Sequence, residues 1–274
     1  MALQAGPSGH HSKDDLPWWL VVLVLIGIAT AIAIVTSDLY AQVFKTIVQG
    51  IGTTIFVTLV AFALAMALGL GIALLGLSDS LILRQIARFY VEVIRSIPIL
   101  VLLSYIAFVG APAFVALYNT ATSPLASAGW TEPLLVRDVP LMWRAIMALM
   151  IAYAAFIAEV FRAGIQAVDP GQIEAAKALG LSRYRRFRHV IAPQAFRVIF
   201  PPLSNDFIAM VKDSSLVSVL GVADITQLAK IYSSGSFRYF ESYSILAYIY
   251  LILTIGLSLV LRKFEKRMRE RHMR

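Results

Sequence analysis

Charged side chains set inside otherwise uncharged runs are the residues of this chain with chemistry to offer. Removing a charge from water is costly, so such groups usually face a cavity or a partner. The stretch PPLSNDFIAMVKDSSLVSVL, Pro201 to Leu220, carries Asn205, Asp206, Lys212, Asp213, Ser214 and Ser215. Lys212 lies eleven residues beyond Pro201, roughly 17 Å along a helix and near the middle of a hydrocarbon core about 30 Å thick. Asp206 and Asp213 are seven apart, so they share a face if the helix is continuous. Both charge signs are on offer, as a ligand that carries both would require. The same groups suit two other readings: an internal Lys212 to Asp213 network that holds a helix break together, and the coupling site of an ion-gradient-driven secondary transporter. Two further pairs, Glu92 with Arg95 in YVEVIRSIP and Glu159 with Arg162 in AEVFRAG, are each spaced to bridge along one helix face. They fit an inner gate or contacts to a passing substrate, and equally helix-end ion pairs whose long side chains snorkel to the interface.

Other chemistries lack their residues. No G-x-x-x-x-G-K-[ST] run exists, so the chain is not expected to hydrolyse ATP itself. His10, His11, His189 and His272 show no metal-ligand spacing with carboxylates, and no Ser-His-Asp set is placed to converge. No catalytic residue and no metal site are therefore expected. Cysteine is absent, which removes disulfides and thiolate metal sites.

The elements that must position these residues are membrane helices. Hydrophobic residues make up 59% of the 274 and the mean hydropathy is +0.78, beyond the range of soluble domains. The expectation is an all-α polytopic integral membrane protein of about six transmembrane helices. Residues 1–17 read as a polar tail, and 18–37, opening on Trp18 and Trp19, as an uncleaved anchor. A cleaved signal peptide is disfavoured, because Asp14 and Asp15 spoil a basic leader. Tyr40 to Gln49 reads as an amphipathic turn at the outer interface. Ile51 to Ser78 is the second crossing, with Gly69, Gly71 and Gly76 permitting close helix approach. Ile97 to about Tyr118 is the third, ended by Pro112, and Asn119 to Pro140 follows as a loop. Leu141 to Arg162 is the fourth crossing, Pro201 to about Val222 the fifth, and Tyr243 to Leu261 the sixth, before a basic tail at 263–274. Residues 50–262 read as the main transmembrane domain.

Lysine and arginine are unevenly shared by these crossings: 18 fall on the side of both termini and the segment 164–196, 5 on the other, and Lys212 completes the 24. Both termini are therefore expected in the cytoplasm. The positive charge follows topology rather than a basic surface with interleaved aromatics, so no nucleic-acid partner is expected.

The segment AVDPGQIEAAKALGLSRYRRFRHVIAP, Ala167 to Pro193, is a basic helical hairpin between crossings. Asp169 is an N-cap, Pro170 suits the first helical position and Gln172 stands where a capping-box partner belongs. Gly180 suits a left-handed stop and Ser182 caps a second helix. Ile173, Ala176 and Leu179 recur at helical spacing, a ridge able to enter a groove on another protein. The bland reading is an interfacial helix whose arginines bind anionic lipid. Glu174, Ala175, Ala176 and Gly180, with Pro193 closing the pattern, resemble the EAA loop of membrane subunits of bacterial ATP-binding-cassette importers. Val190 and Ala192 depart mildly from it. From about Gly50 onward the chain is similar to the polar amino-acid uptake branch, Gly110 to Pro140 apart.

The resemblance implies a five-helix permease core, here with one added N-terminal helix, in the bacterial inner membrane. It implies that the helix carrying Gln172, Glu174, Ala175, Ala176, Leu179 and Gly180 docks on a separate cytoplasmic ATPase subunit, which binds ATP and Mg. It further implies a second permease subunit, the same or a sister, and a periplasmic substrate-binding protein delivering a polar amino acid. The rivals are the ion-driven transporter using Lys212 and Asp213, and a membrane scaffold or intramembrane enzyme.

Overall fold

A computed structural model describes residues 18–270. The expected tail 1–17 and residues 271–274, with His10, His11 and His272, lie outside the described residues. Helices form the whole framework, and no strand occurs among the described residues. Helices α1 (Trp18–Thr36) and α2 (Asp38–Val48) are followed by α3 (Ile51–Gly76). Helix α1 is apolar on every side, and Val22, Leu25, Ile28 and Ile32 are exposed, as expected of a helix surrounded by lipid. Tyr40 to Gln49 is corrected from a turn to most of an 11-residue helix. Its Val43 and Ile47 are fully buried, which an interfacial turn would not achieve.

Helix α4 (Leu81–Ser96) is strongly amphipathic and leads into α5 (Ile99–Tyr105), a π-turn at Ile106–Gly110, and α6 (Ala111–Ser127). Here the expected end at Pro112 is overturned, because the crossing runs over Ile99–Ser127. The Ala111 N–H reaches back to the Ile106 carbonyl, which shifts the hydrogen-bond register by one residue. Pro112 then falls in the first turn of α6, where a missing N–H costs little. The expected loop Asn119 to Pro140 is accordingly helical through Ser127. Its remainder is clipped down: the Asn119 side chain bonds both the N–H and the carbonyl of Leu134 at 2.8 Å.

Helix α7 (Leu141–Gln166) is the central post. The buried Arg144 at its start donates to the carbonyls of Val139 at 2.9 Å, Ala107 at 3.3 Å and Val136, so this charge faces protein and staples the loop that precedes α7 to it. Helix α8 (Pro170–Ala178), the short α9 (Arg183–Arg186) and a second π-turn at Phe187–Ile191 follow. Helix α10 (Ala192–Asp213) continues from that π-turn, and Pro193 is absorbed in its first turn just as Pro112 is in α6. The expected fifth crossing from Pro201 thus begins earlier and passes through Pro201 and Pro202. A 3₁₀ segment Ser214–Leu220 ends at Gly221, whose φ is +78°. Then come α11 (Ile225–Ser236) and α12 (Tyr239–Glu270). The basic segment from 263 is a helical extension of α12 as far as the structure describes it.

Among the described residues, four helical stretches are long and apolar enough to cross a membrane, Asp38–Gly76, Ile99–Ser127, Leu141–Gln166 and Tyr239–Met268, beside the shorter apolar Leu20–Thr36. The charged α10 completes the bundle. One core joins α3, α4, α5 and α7 through residues such as Ala61, Leu103, Leu149 and Ile157. A second joins α2, α11 and α12 through Ile47, Ile225 and Ile245. A third, small core at the end of α7 joins Val168 to Ala195 and Ile199 of α10.

Glycine sets the distances at three crossings. A Cβ on Gly69 would stand 2.9 Å from Ile157 Cγ2 and 3.0 Å from the Ala154 carbonyl, so α3 and α7 touch backbone to side chain. Gly71 and Gly76, expected to act likewise, meet open space and ordinary contact at 3.7 Å. At Gly50 a Cβ would lie 2.5 Å from the Ile225 nitrogen, and at Gly164 it would lie 2.2 Å from Ile199 Cγ1. Gly164→Ala is expected to cost about 1–3 kcal/mol by overpacking, read as a lower midpoint in tryptophan-fluorescence thermal unfolding in detergent. The double variant Gly164→Ala with Ile199→Ala should recover part of the loss.

Candidate functional site

The charged residues picked out above gather in three places: the exposed hairpin at α8, the α7–α10 seam and a cavity beside α4. In the hairpin, the Asp169 carboxylate accepts the Gly171 N–H at 2.6 Å and caps α8. Gln172 is corrected as a capping-box partner, because its carbonyl oxygen instead accepts from the Gln194 amide at 2.6 Å, tying α8 to the start of α10. Gly180 N–H bonds the Lys177 carbonyl at 2.9 Å and Leu181 N–H the Ala176 carbonyl at 3.1 Å. That double closure needs the left-handed backbone of Gly180, φ +73°.

The expected ridge divides. Ala176 is 3% exposed and Ile173 packs on Val168, Ala195 and Ile199, so these two hold the helix from beneath. Leu179 is 80% exposed, and with exposed Glu174, Ala175 and Ala178 it forms the outward face. Small alanines between an acid and a leucine leave that face shallow, which suits close approach by another protein.

Along the α7–α10 seam, Asp213 and Asp206 do share one face of a continuous helix. The expected Lys212 to Asp213 pair is not formed. The Tyr153 hydroxyl of α7 donates to Asp213 Oδ2 at 2.7 Å, while Lys212 is exposed. Asp206 is half-buried, and its Oδ2 is buried without a hydrogen-bond partner. Ser214 is buried and spends its hydroxyl on the Val211 carbonyl at 2.7 Å. Ser215 is half-buried beside it and Asn205 is exposed. Tyr153 was not singled out by the sequence, because a tyrosine in an alanine-rich apolar run carries no charge to mark it.

The third place is a cavity of about 560 Å³ bounded by the end of α3, α4 and the end of α7. It brings Glu92, Glu159 and Arg162 together with Arg84, Arg88 and Gln166. Glu159 and Arg162 bridge as their spacing predicts, with Nε to Oε1 at 3.1 Å, and Arg162 also donates to Gln166 at 2.8 Å. Glu92 and Arg95 do not bridge. Arg95 lies over the Phe156 ring, 5.4 Å from its centroid, a cation–π contact that takes it away from Glu92.

Residues 65–270 match the family described as binding-protein-dependent transport system inner membrane component. The chain belongs to this family. The permease is 33% identical over 223 residues to the glutamine transport system permease protein GlnP of Escherichia coli, covering 81% of this chain and 93% of that one. It is 36% identical over 212 residues to the octopine transport system permease protein OccM of Rhizobium radiobacter, covering 77% and 81%. Among solved structures it resembles an amino acid ABC transporter with histidines, at 39% identity and TM-score 0.67 over 83% of this chain and 95% of that one. The methionine transporter MetNI shares the fold alone, at 19% identity and TM-score 0.63 over 82% of this chain and 96% of that one.

The permease is thus a multi-pass inner-membrane transport subunit and not an enzyme. The ion-driven rival is set aside, since its Lys212 to Asp213 pair is not made and the family is an importer family. Gly180→Val should unravel the α8 terminus and abolish ATP-driven uptake in vesicles at normal membrane levels, whereas Gly180→Asn, able to adopt the left-handed backbone, should keep most of it.

Proposed function

We propose that this permease carries a polar amino acid or a close derivative from periplasm to cytoplasm, driven by ATP and Mg bound on a separate ATPase subunit that docks on α8. The observation that carries the reading is the outward face of Glu174, Ala175, Ala178 and Leu179 on a helix braced from behind by Ala176, Ile173 and the Gln172–Gln194 bond. Both termini and α8 face the cytoplasm in this reading, in line with 18 of the 24 cations on that side. A periplasmic binding protein delivers the substrate, and two permease subunits, identical or sister, form the pore between them. The names of the glutamine, octopine and amino-acid transporter relatives support the substrate class.

In the path, Asp206 offers an unsatisfied carboxylate oxygen to the substrate ammonium. Tyr153 keeps Asp213 in place beside Ser214 and Ser215. Glu92, Arg95, Glu159 and Arg162 form the inner gate. Alternating access then requires that the ATPase states bind α8 in different positions, since only differential affinity moves a conformational equilibrium.

The test is uptake of radiolabelled amino acids into vesicles holding the permease, its ATPase and its binding protein. Glu174→Arg should reduce ATPase co-purification and uptake together. Asp206→Asn should leave co-purification intact and cut uptake by about tenfold or more, the scale of one lost charged contact. Undiminished amino-acid uptake in both variants contradicts the proposal.

A further inference from the structure

Of the charges that line the cavity beside α4, Arg84 and Arg88 have no part in the transport reading, which takes Glu92, Glu159 and Arg162 for the inner gate. Helix α4 divides its surface in three. Ala87 and Val91 are buried against the core. Ile82, Ile86, Phe89 and Val93 form an outward stripe, with Ile82 72% and Phe89 71% exposed. Between these faces runs a row formed by Arg84, Arg88 and Glu92, which lines the cavity. This is the pattern of a helix lying in a membrane interface, with its apolar stripe among acyl chains and its cations at headgroup level.

Only one pair of the cavity charges is spent on each other. Arg162 is committed to Glu159 and Gln166. Arg84 donates to the carbonyls of Ser78 and Asp79, at 3.0 Å each, and keeps its charge. Arg88 and Glu92 make no side-chain hydrogen bond or ion pair among the described residues. Three arginines against two glutamates leave one net positive charge, which a single phosphodiester neutralises.

We propose that this cavity and the neighbouring apolar stripe form a binding site for an anionic phospholipid of the inner leaflet. Arg88 and Arg84 hold the phosphodiester, by the fork-like donation that guanidinium gives to phosphate. Ile82, Ile86 and Phe89 lie along the acyl chains. Gln166 stands two residues before Val168, which packs under α8, so an occupied site braces α4 against the root of the docking helix. The inference goes beyond the transport reading and does not depend on the substrate.

The test is native mass spectrometry of the full-length permease with its ATPase, delipidated in detergent and titrated with phosphatidylglycerol. Wild type should bind one phosphatidylglycerol tightly. Arg88→Gln should weaken that binding about fivefold or more, and Phe89→Ser should weaken it as well. Lys263→Gln, an exposed cation at the far end of α12, should not, while Glu92→Gln, which removes the negative charge of the row, should strengthen it. Glycerol 3-phosphate should fail to compete. Displacement of the lipid by soluble glycerol 3-phosphate would assign the cavity to a free anion and overturn the proposal. So would equal binding by wild type and Arg88→Gln, or loss of ATPase from Arg88→Gln with lipid binding unchanged, which would make the face a protein contact.

Discussion

Close backbone approach at α7 is the constraint on which the rest of the permease depends. Lipid offers no hydrophobic drive between apolar helices, so their association rests on dispersion at short range and on polar contacts across the interface. Helix α7 meets both needs. Alanines at 145, 148, 152, 154, 155 and 158 are buried along it, Gly69 of α3 presses on Ile157, and its own Gly164 receives Ile199 of α10. Polar pins fix the register: Tyr90 donates to the Ile151 carbonyl at 2.8 Å, Tyr153 to Asp213, and Arg144 to the loop before α7. A movement of α10 therefore cannot leave α7 unaffected.

The second constraint is the need to satisfy every backbone donor and acceptor in hydrocarbon. It explains how Pro112 and Pro193 are accommodated at the start of long helices. Each π-turn, at Ile106–Gly110 and Phe187–Ile191, ends two residues before a proline and places it where no donor is needed. The consequence for mechanism lies at the second turn. Because helix continues through Pro193, the path from the hairpin into the membrane is nearly one rod, from Arg183 to Asp213. The Gln172–Gln194 bond fastens α8 to its side. Displacement of α8 thus reaches the Tyr153–Asp213 contact through helix rather than through loop. The 3₁₀ segment that follows, closed by Gly221, marks the point where that rod stops.

Much of this was legible in the sequence, and what was not has a physical reason in each case. Long uncharged runs announce α1, α3, α7 and α12, because length and apolarity are local properties. The caps of α8, Asp169 and Gly180, are legible for the same reason. Pro112 misled because the rescue of a proline depends on a register shift that leaves no compositional mark. Gln172 has the spacing of a local cap and bonds Gln194 instead, since local and tertiary partners compete for one side chain. Lys212 and Asp213 were paired by adjacency, yet neighbouring residues on a helix point in different directions, and Asp213 turned to Tyr153. Arg84 and Arg88 stand in the sequence as charges between crossings but not as site residues, because two arginines on an amphipathic helix look like an ordinary solvated face.

The central claim is that the outward face of α8 is the contact through which the ATPase acts. The absence of cysteine makes Leu179→Cys a single reporter. The measurement is its rate of modification by a membrane-impermeant maleimide in inside-out vesicles, with and without the ATPase. The account predicts rapid labelling of the permease alone and strong protection once the ATPase is bound. Labelling that is equally fast with the ATPase bound, or that occurs only from the periplasmic side, would contradict it.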